Sequence, residues 1–310
     1  MTTYNIIGHK SPDTDAVCSA LVMQEFMRAK GYDAQVYKLG ELNKETELVL
    51  KKVGVETPDT IETLESGSEV ILVDHNEASQ SINNLDELNI YYIIDHHKFN
   101  LQTSTPLYIR TEPLGSTCSI LAKMFFEEHL SVSKQAAELM ISAIISDTLY
   151  FRSPTTTQED KDIVERLNKI AQIDNLEELS LEMFNAKSDL GDMRAIEMIQ
   201  LDYKEFEFNG NMYGVGVMET TNPVYGVDRL DEIREALTQI EERDNLAGVM
   251  FSIVDILEGK NISICSNEKF SNDVKQAFSA SELENGFLDL KDTVSRKKQI
   301  IPVLKKYFEE

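Results

Sequence analysis

Tryptophan is absent from this chain, and cysteine is scarce: Cys18, Cys118 and Cys265 are isolated and odd in number. That spacing fits reduced, packed thiols better than a disulfide framework or a thiolate zinc site. Positive charge is also short. Thirty lysines and arginines face 54 acidic residues, a net charge of −24. Such a surface draws in no polyanion, which argues against a nucleic-acid partner, and an anionic substrate needs locally concentrated cations. No stretch approaches the roughly 20 apolar residues of a membrane span. The polar start Met1-Thr2-Thr3-Tyr4-Asn5 lacks the basic and apolar regions of a signal peptide. The expectation is a cytoplasmic protein with no membrane partner. Its 310 residues, 42% apolar, suffice for two domains or one large one, without evident repeats or low-complexity segments.

Histidine is rare as well, but its placement is informative. Four of the five histidines sit beside aspartates just after three short apolar runs: Ile6-Ile7-Gly8-His9-Lys10-Ser11-Pro12-Asp13-Thr14-Asp15, Ile71-Leu72-Val73-Asp74-His75 and Ile93-Ile94-Asp95-His96-His97. Short β-branched runs read as buried parallel strands, and in open α/β sheets ligands bind beyond the carboxyl ends of such strands. Three strand ends would thus deliver His and Asp to one place. Imidazole plus carboxylate without paired thiolates suits Mn²⁺, Fe²⁺, Co²⁺ or Zn²⁺. Several shared carboxylates suggest two ions about 3.5–4 Å apart, the arrangement that hydrolyses phosphate esters and anhydrides.

From the start to about Ala186 short strands alternate with longer amphipathic stretches, the pattern of a parallel sheet. Strands are expected at Tyr4–Ile7, Ala34–Tyr37, Val70–Val73, Ile90–Ile94 and Leu107–Ile109. Helices are expected at Ala16–Lys30, beginning right at Asp13–Asp15, and at Ser116–Phe126, Ser133–Ile145 and Glu159–Ile170, with Ser116 and Ser133 as caps. The pattern breaks around Lys187-Ser188-Asp189-Leu190-Gly191-Asp192. This places a first domain at 1–187, a linker at 188–194 and a second domain at 195–310. In the second, Asn209-Gly210 between strand-like runs signals a hairpin. A helix at Arg229–Glu242 and strands at Val249–Ile256 and Ile262–Cys265 suggest a mixed sheet. The fold class is therefore α/β, a Rossmann-like parallel-sheet domain followed by a smaller mixed-sheet α/β domain.

Pro12 disfavours helix before the aspartates, so Asp13 and Asp15 can both face the mouth of the sheet. Asp74 reads either as a helix cap or as a carboxylate bridging two ions. Asp95-His96-His97 offers one ligand and one orienter. Asp147, after an apolar helix, is a helix-end polar residue or a further ligand. Gly115-Ser116-Thr117 opens a helix, suited to ordinary capping or to phosphate. The basic run Arg296-Lys297-Lys298, conspicuous in so acidic a chain, is a solvated face or a phosphate clamp.

Taken together, Gly8–Asp15, Val73-Asp74-His75-Asn76, Asp95-His96-His97, Glu112-Pro113-Leu114-Gly115-Ser116-Thr117, Ser142–Asp147 and Ser295-Arg296-Lys297-Lys298-Gln299 resemble, in order and over nearly the whole chain, the manganese-dependent inorganic pyrophosphatases of family II in the DHH phosphoesterase superfamily. The Asp and His motifs are those of the superfamily at large, and the terminal Ser-Arg-Lys-Lys-Gln points to the pyrophosphatases. The resemblance implies one Mn²⁺ held by His9, Asp13 and Asp74 and a second by Asp15, Asp74, His96 and Asp147, with Asp74 bridging. It further implies that His97 contacts substrate, that Lys204, Arg296 and Lys297 of a DHHA2-like second domain grip the phosphoryl groups, that Co²⁺ substitutes for Mn²⁺, that additional Mg²⁺ arrives with substrate, and that the chain forms a homodimer through its first domain. Ser11 stands where many relatives have Asn.

The reaction so implied is hydrolysis of pyrophosphate to two phosphates. A hydroxide bridging the metals would attack phosphorus in line, with Asp13 or another carboxylate taking its proton, and domain closure would bring the basic clamp to the leaving group. Two other readings compete. An oligonucleotide or cyclic-dinucleotide phosphodiesterase of the superfamily would carry a Gly-Gly-rich, His-containing motif in the second domain, and no histidine follows Leu190. A binding-only sensor would normally have lost a ligand, and none is missing.

Overall fold

The apolar runs become the middle of a parallel sheet in the computed structural model, which describes residues 2–103, 105–191 and 193–309. The chain divides into two units, Met1–Lys187 and Ser188–Glu310. The first contains β1 (Thr3–Lys10), α1 (Thr14–Ala29), β2 (Asp33–Leu39), α2 (Lys44–Val53), β3 (Asp59–Thr60), β4 (Glu69–Val73), β5 (Asn89–Asp95), β6 (Tyr108–Thr111), α3 (Thr117–Glu127), α4 (Lys134–Asp147), α5 (Gln158–Ala171) and α6 (Leu176–Ser188). Its strands lie in the order β3-β2-β1-β4-β5-β6 and all pair in parallel. Ile6, Ile7, Val70 to Val73, Ile93 and Ile94 are wholly buried, as expected of strands covered on both faces. Each such side chain contributes about 1.5–3 kcal/mol relative to exposure. The strand order reverses between β1 and β4, so the crevice at their carboxyl ends is the natural ligand position of this architecture.

The loop from β1 into α1 sits at that crevice. A Cβ on Gly8 would lie 2.8 Å from Ala16 O and 2.9 Å from Ala16 Cβ, so only glycine lets β1 approach the first turn of α1 this closely. Ser11 turns the chain through a left-handed conformation (φ 52°). Asp13 then caps α1, accepting from Ala16 N at 3.0 Å. Ser116 and Ser133 cap α3 and α4 in the same manner.

Some boundaries differ from those expected. Pairing of β1 with β2 resumes at Lys10, so His9 lies within the strand rather than after it, and β5 likewise includes Asp95. The sixth strand is Tyr108–Thr111, shifted from Leu107–Ile109. Of the expected linker, 188–191 and 193–194 fall in the second unit, and Asp192 lies outside the described residues.

The second unit contains α7 (Ala195–Gln200), β7 (Tyr203–Phe208), β8 (Asn211–Thr220), α8 (Val224–Val227), α9 (Leu230–Asp244), β9 (Gly248–Asp255), β10 (Lys260–Cys265), α10 (Glu268–Phe278), β11 (Ser281–Glu282), β12 (Leu288–Lys291) and α11 (Ile301–Glu309), the last preceded by a π-helical turn at Arg296–Ile300. The sheet order is β11-β12-β10-β9-β8-β7, parallel at β8–β9 and antiparallel elsewhere among the described residues. Asn209 (φ 48°) and Gly210 (φ 77°) form the hairpin turn between β7 and β8, both in the left-handed region that a primed turn requires. The α/β class, with a parallel sheet first and a mixed sheet second, is thus the one expected.

Candidate metal centre

The carboxyl end of β4 places Asp74 at the crevice. Its backbone is left-handed (φ 61°), a conformation Asp tolerates better than most, and its N–H donates to Ile94 O at 2.9 Å. No helix follows β4 directly, so Asp74 caps none. Its two oxygens instead face opposite partners. Oδ2 is 3.5 Å from His9 Nε2, and Oδ1 is 3.4 Å from His96 Nε2. His9 Nε2 is also 3.5 Å from Asp13 Oδ1, and His96 Nε2 is 3.6 Å from Asp147 Oδ2. Two groups that share Asp74 result, His9–Asp13–Asp74 and Asp15–Asp74–His96–Asp147, the donor atoms of each within 4.8 Å of one another; Asp74–His96–His97 also meets that limit. They face a cavity of about 560 Å³ lined also by His97.

These separations are too long for hydrogen bonds, which span about 2.7–3.2 Å. They match donors converging on one cation: two ligands each ~2.1 Å from an ion, at angles of 90–120°, stand roughly 3.0–3.6 Å apart. His96 Nε2 is buried without a hydrogen-bond partner, a condition that costs about 1–3 kcal/mol when nothing else meets the atom. The other ring nitrogens are held. His9 Nδ1 lies 2.8 Å from Lys10 O and His96 Nδ1 2.9 Å from Leu114 O, so each ring aims Nε2 at the carboxylates and, once Nε2 is deprotonated, would offer its lone pair there to an ion. The donor set therefore fits two divalent ions, whose charge would balance the carboxylates of Asp13, Asp15, Asp74 and Asp147.

His75 and His97 show the contrast. His75 is buried with both ring nitrogens engaged, by Val73 O and Ser81 Oγ at 2.9 Å each, and is structural. His97 is half-exposed and lines the cavity, its Nδ1 held 2.9 Å from Asp95 Oδ1. Asn76 Nδ2 steadies Asp95 at 2.6 Å.

Electrostatics give the same picture of a centre needing cations. Burial, then the Asp74 charge, pushes the Asp15 carboxyl up to about 7. Burial and the neighbouring Asp15 and Asp13 drive Asp147 well above the carboxylate range. Burial pulls the imidazoles of His9 and His96 down, but their carboxylate partners outweigh it and hold them at about 11 and about 9. Burial likewise opposes the charge on Asp74, but the imidazoles of His9 and His96 beside it keep it below its ordinary value.

Comparison with known proteins gives this geometry a family. Residues 3–144 match the N-terminal domain of the DHH family and residues 181–307 the DHHA2 domain. A probable manganese-dependent inorganic pyrophosphatase of Deinococcus radiodurans is 45% identical over 308 residues, 98% of each chain. The manganese-dependent inorganic pyrophosphatase of Methanocaldococcus jannaschii is 36% identical over 312 residues, again 98% of each. The chain belongs to the manganese-dependent inorganic pyrophosphatase family. A solved structure from Methanococcus jannaschii, assigned to the family II inorganic pyrophosphatases, superposes with a TM-score of 0.65 at 35% identity, covering 98% of this chain and 99% of that one. An exopolyphosphatase-related protein from Bacteroides fragilis, at 15% identity and a TM-score of 0.52, shares the fold; the match covers 99% of this chain and 92% of that one.

In this family member the N-terminus of α3 is not free for phosphate. The Thr117 and Cys118 amides donate to Asp15 at 2.6 and 3.1 Å, and Ser116 Oγ does so at 2.8 Å, so capping, not anion binding, is its use. Thr117 Oγ1 donates to Asp74 Oδ1 at 3.0 Å, a contact that sequence reasoning missed. It also missed Asp160, buried, which receives Gly115 N at 3.0 Å and holds that loop in place. The Thr157-x-x-Asp160 capping box was the available signal. In the second unit Arg296 and Lys297 line a cavity of about 430 Å³ that Lys204, exposed on β7, does not line. Arg296 is already paired, Nη2 donating to Asp202 Oδ1 at 2.6 Å.

Proposed function

We propose that this chain is an inorganic diphosphatase that hydrolyses pyrophosphate to two phosphates in the cytoplasm, using two Mn²⁺ per subunit. One ion is held by His9, Asp13 and Asp74, the other by Asp15, Asp74, His96 and Asp147. The observation that carries the reading is the shared Asp74, one oxygen toward each imidazole, beside a buried His96 Nε2 that has no other partner. When bound, such ions would lower the pKa of coordinated water and offset phosphoryl charge. Co²⁺ substitutes for Mn²⁺, because imidazole donors favour later first-row ions over Mg²⁺; Mg²⁺ enters with substrate.

In this reading residues 1–187 form the catalytic domain and residues 195–310 the substrate-binding domain, joined by a linker at 188–194. Asp13, at the cavity rim and the cap of α1, orients the attacking water and accepts its proton. His97, its ring fixed by Asp95, presents Nε2 to the substrate near the bridging oxygen. Lys204, Arg296 and Lys297 neutralise the charge that gathers on the leaving phosphate, Arg296 by exchanging part of its pairing with Asp202. A homodimer through β6 is supported by Tyr108 and Ile109, large apolar side chains exposed on that edge strand at 62% and 48%. Light scattering should then give about twice the 35.2 kDa chain mass. A monomer mass for the metal-loaded protein at micromolar concentration refutes the dimer.

The deciding assay is steady-state phosphate release with Mn²⁺ and Mg²⁺ present. Pyrophosphate should be preferred over dinucleotides, cyclic dinucleotides and nucleoside triphosphates by at least about 10³-fold in kcat/KM, roughly 4 kcal/mol of differential transition-state binding. Comparable efficiency on a dinucleotide overturns the substrate while leaving the two-ion centre in place.

A further inference from the structure

Glu45 is fully buried in the first turn of α2 but belongs to neither ligand group. Its Oε2 accepts from Thr14 Oγ1 at 2.9 Å and from Ser146 Oγ at 2.8 Å, and Lys187 Nζ stands 3.4 Å away. Thr14 lies between Asp13 and Asp15, and Ser146 immediately precedes Asp147. A neighbouring hydroxyl, Thr46 Oγ1, sits 3.1 Å from the Thr14 hydroxyl and bonds to Asn43 Oδ1 at 3.0 Å, tying the network to the cap of α2. Glu45 Oε1 has no hydrogen-bond partner.

A buried carboxylate is a poor choice for packing alone, since an apolar residue of similar volume often serves as well or better. What a carboxylate supplies here is one oxygen that accepts from two hydroxyls on different helices. We propose that Glu45 is the positioning residue of the Asp15–Asp74–His96–Asp147 group: it pins the first turn of α1 to the last turn of α4, so that Asp15 and Asp147 converge on one ion. The inference rests on the two-ion reading above. It also predicts an asymmetry. Two ligands of the four-residue group adjoin the pinned hydroxyls, whereas the three-residue group has only Asp13 nearby, and Asp13 is independently fixed as the cap of α1. Lys187, at the end of the first unit, supplies the countercharge and also reaches Ser146 Oγ at 3.4 Å.

The test is a Mn²⁺ titration of the full chain, read as bound ion rather than as turnover. The parent protein should bind two ions, and Asp147→Asn identifies the step belonging to the four-residue group. Glu45→Ala should weaken that same step by about 10- to 100-fold, the usual cost of removing a partner that orients ligands, and change the other by less than about threefold. Glu45→Gln keeps one carbonyl oxygen for both hydroxyls and should recover most of the loss. Should Glu45→Ala not fold, the pair Thr14→Val and Ser146→Ala removes the same ties and carries the same expectation. A folded variant of either kind with both affinities within threefold of the parent, or with both steps weakened equally, overturns the proposal; a lowered melting temperature alone would mark Glu45 as structural. A parent that binds no pair of ions removes the two-ion reading first, and this inference with it.

Discussion

The two ends of the proposed chemistry are built in opposite ways. The ligands of the first unit come from strand ends and helix termini of a buried parallel sheet, and backbone or buried side-chain groups fix nearly every one: Lys10 O for His9, Leu114 O for His96, the α3 amides for Asp15. The basic residues of the second unit sit on an edge strand and a π-helical turn, and among the described residues Arg296 is held by Asp202. The ligand centre is preorganised, with its cost met in folding. Long lysine and arginine side chains must instead be ordered when substrate arrives, losing up to about 2 kcal/mol of rotamer freedom each. Damage to the first end should therefore abolish binding of ions as well as turnover, whereas damage to the second should leave the ions in place.

The largest break in that comparison is Asp74→Ala. It removes the one carboxylate common to both groups, and should lower kcat/KM by at least about 10³-fold and deplete both ions. Near-normal metal content in this variant would mean that the centre lies elsewhere. Chelation should have an equal effect that added Mn²⁺ reverses, and full turnover in protein shown to be metal-free by elemental analysis would exclude the two-ion reading.

Next come Lys297→Ala and Arg296→Ala, each expected to cost about 10²-fold in catalytic efficiency with folding and Mn²⁺ content intact. A change below about threefold would favour a solvated face for this segment. Mn²⁺ uptake sharpens the same contrast through protons. With His9 and His96 held above their ordinary values when no ion is bound, both imidazoles carry protons at pH 7 that a cation must displace, so uptake releases protons and affinity falls as pH falls. Calorimetry in two buffers of different ionisation enthalpy measures this, and identical heats would contradict it. The smallest effect belongs to the second unit: Gly210→Ala, at φ 77°, should cost about 1–2 kcal/mol of stability at the β7–β8 turn and leave Mn²⁺ affinity unchanged.

Much of the first unit was legible because its signals are local. Unbroken apolar runs such as Val70–Val73 mark strands buried on both faces, and Ser116 and Ser133 announce caps through their own side chains, as Asn209-Gly210 announces a turn in the second unit. The segments that escaped are amphipathic and heavily charged. Neither α2 (Lys44–Val53) nor α10 (Glu268–Phe278) was anticipated, although Asn43 and Asn267 cap them. Glu45 was invisible for a deeper reason: a glutamate in a charged helix reads as solvated, and its burial depends on Thr14 and Ser146, 31 and 101 residues away in the chain. The Asp and His cluster was readable because each member lies at or beside the end of a strand or helix. The hydroxyls and amides that hold it had no such mark; Thr117 resembled any residue in a helix's first turn.

The double duty of Asp15 has a practical corollary. Because its carboxylate accepts from the Thr117 and Cys118 amides, those two backbone protons are a built-in gauge of ligand posture. Their resonance positions and exchange lifetimes would register arrival or departure of an ion without any assay of product. A laboratory could follow loading of the pocket by magnetic resonance with a diamagnetic stand-in such as Zn²⁺, watching the opening turn of a helix rather than the metal itself.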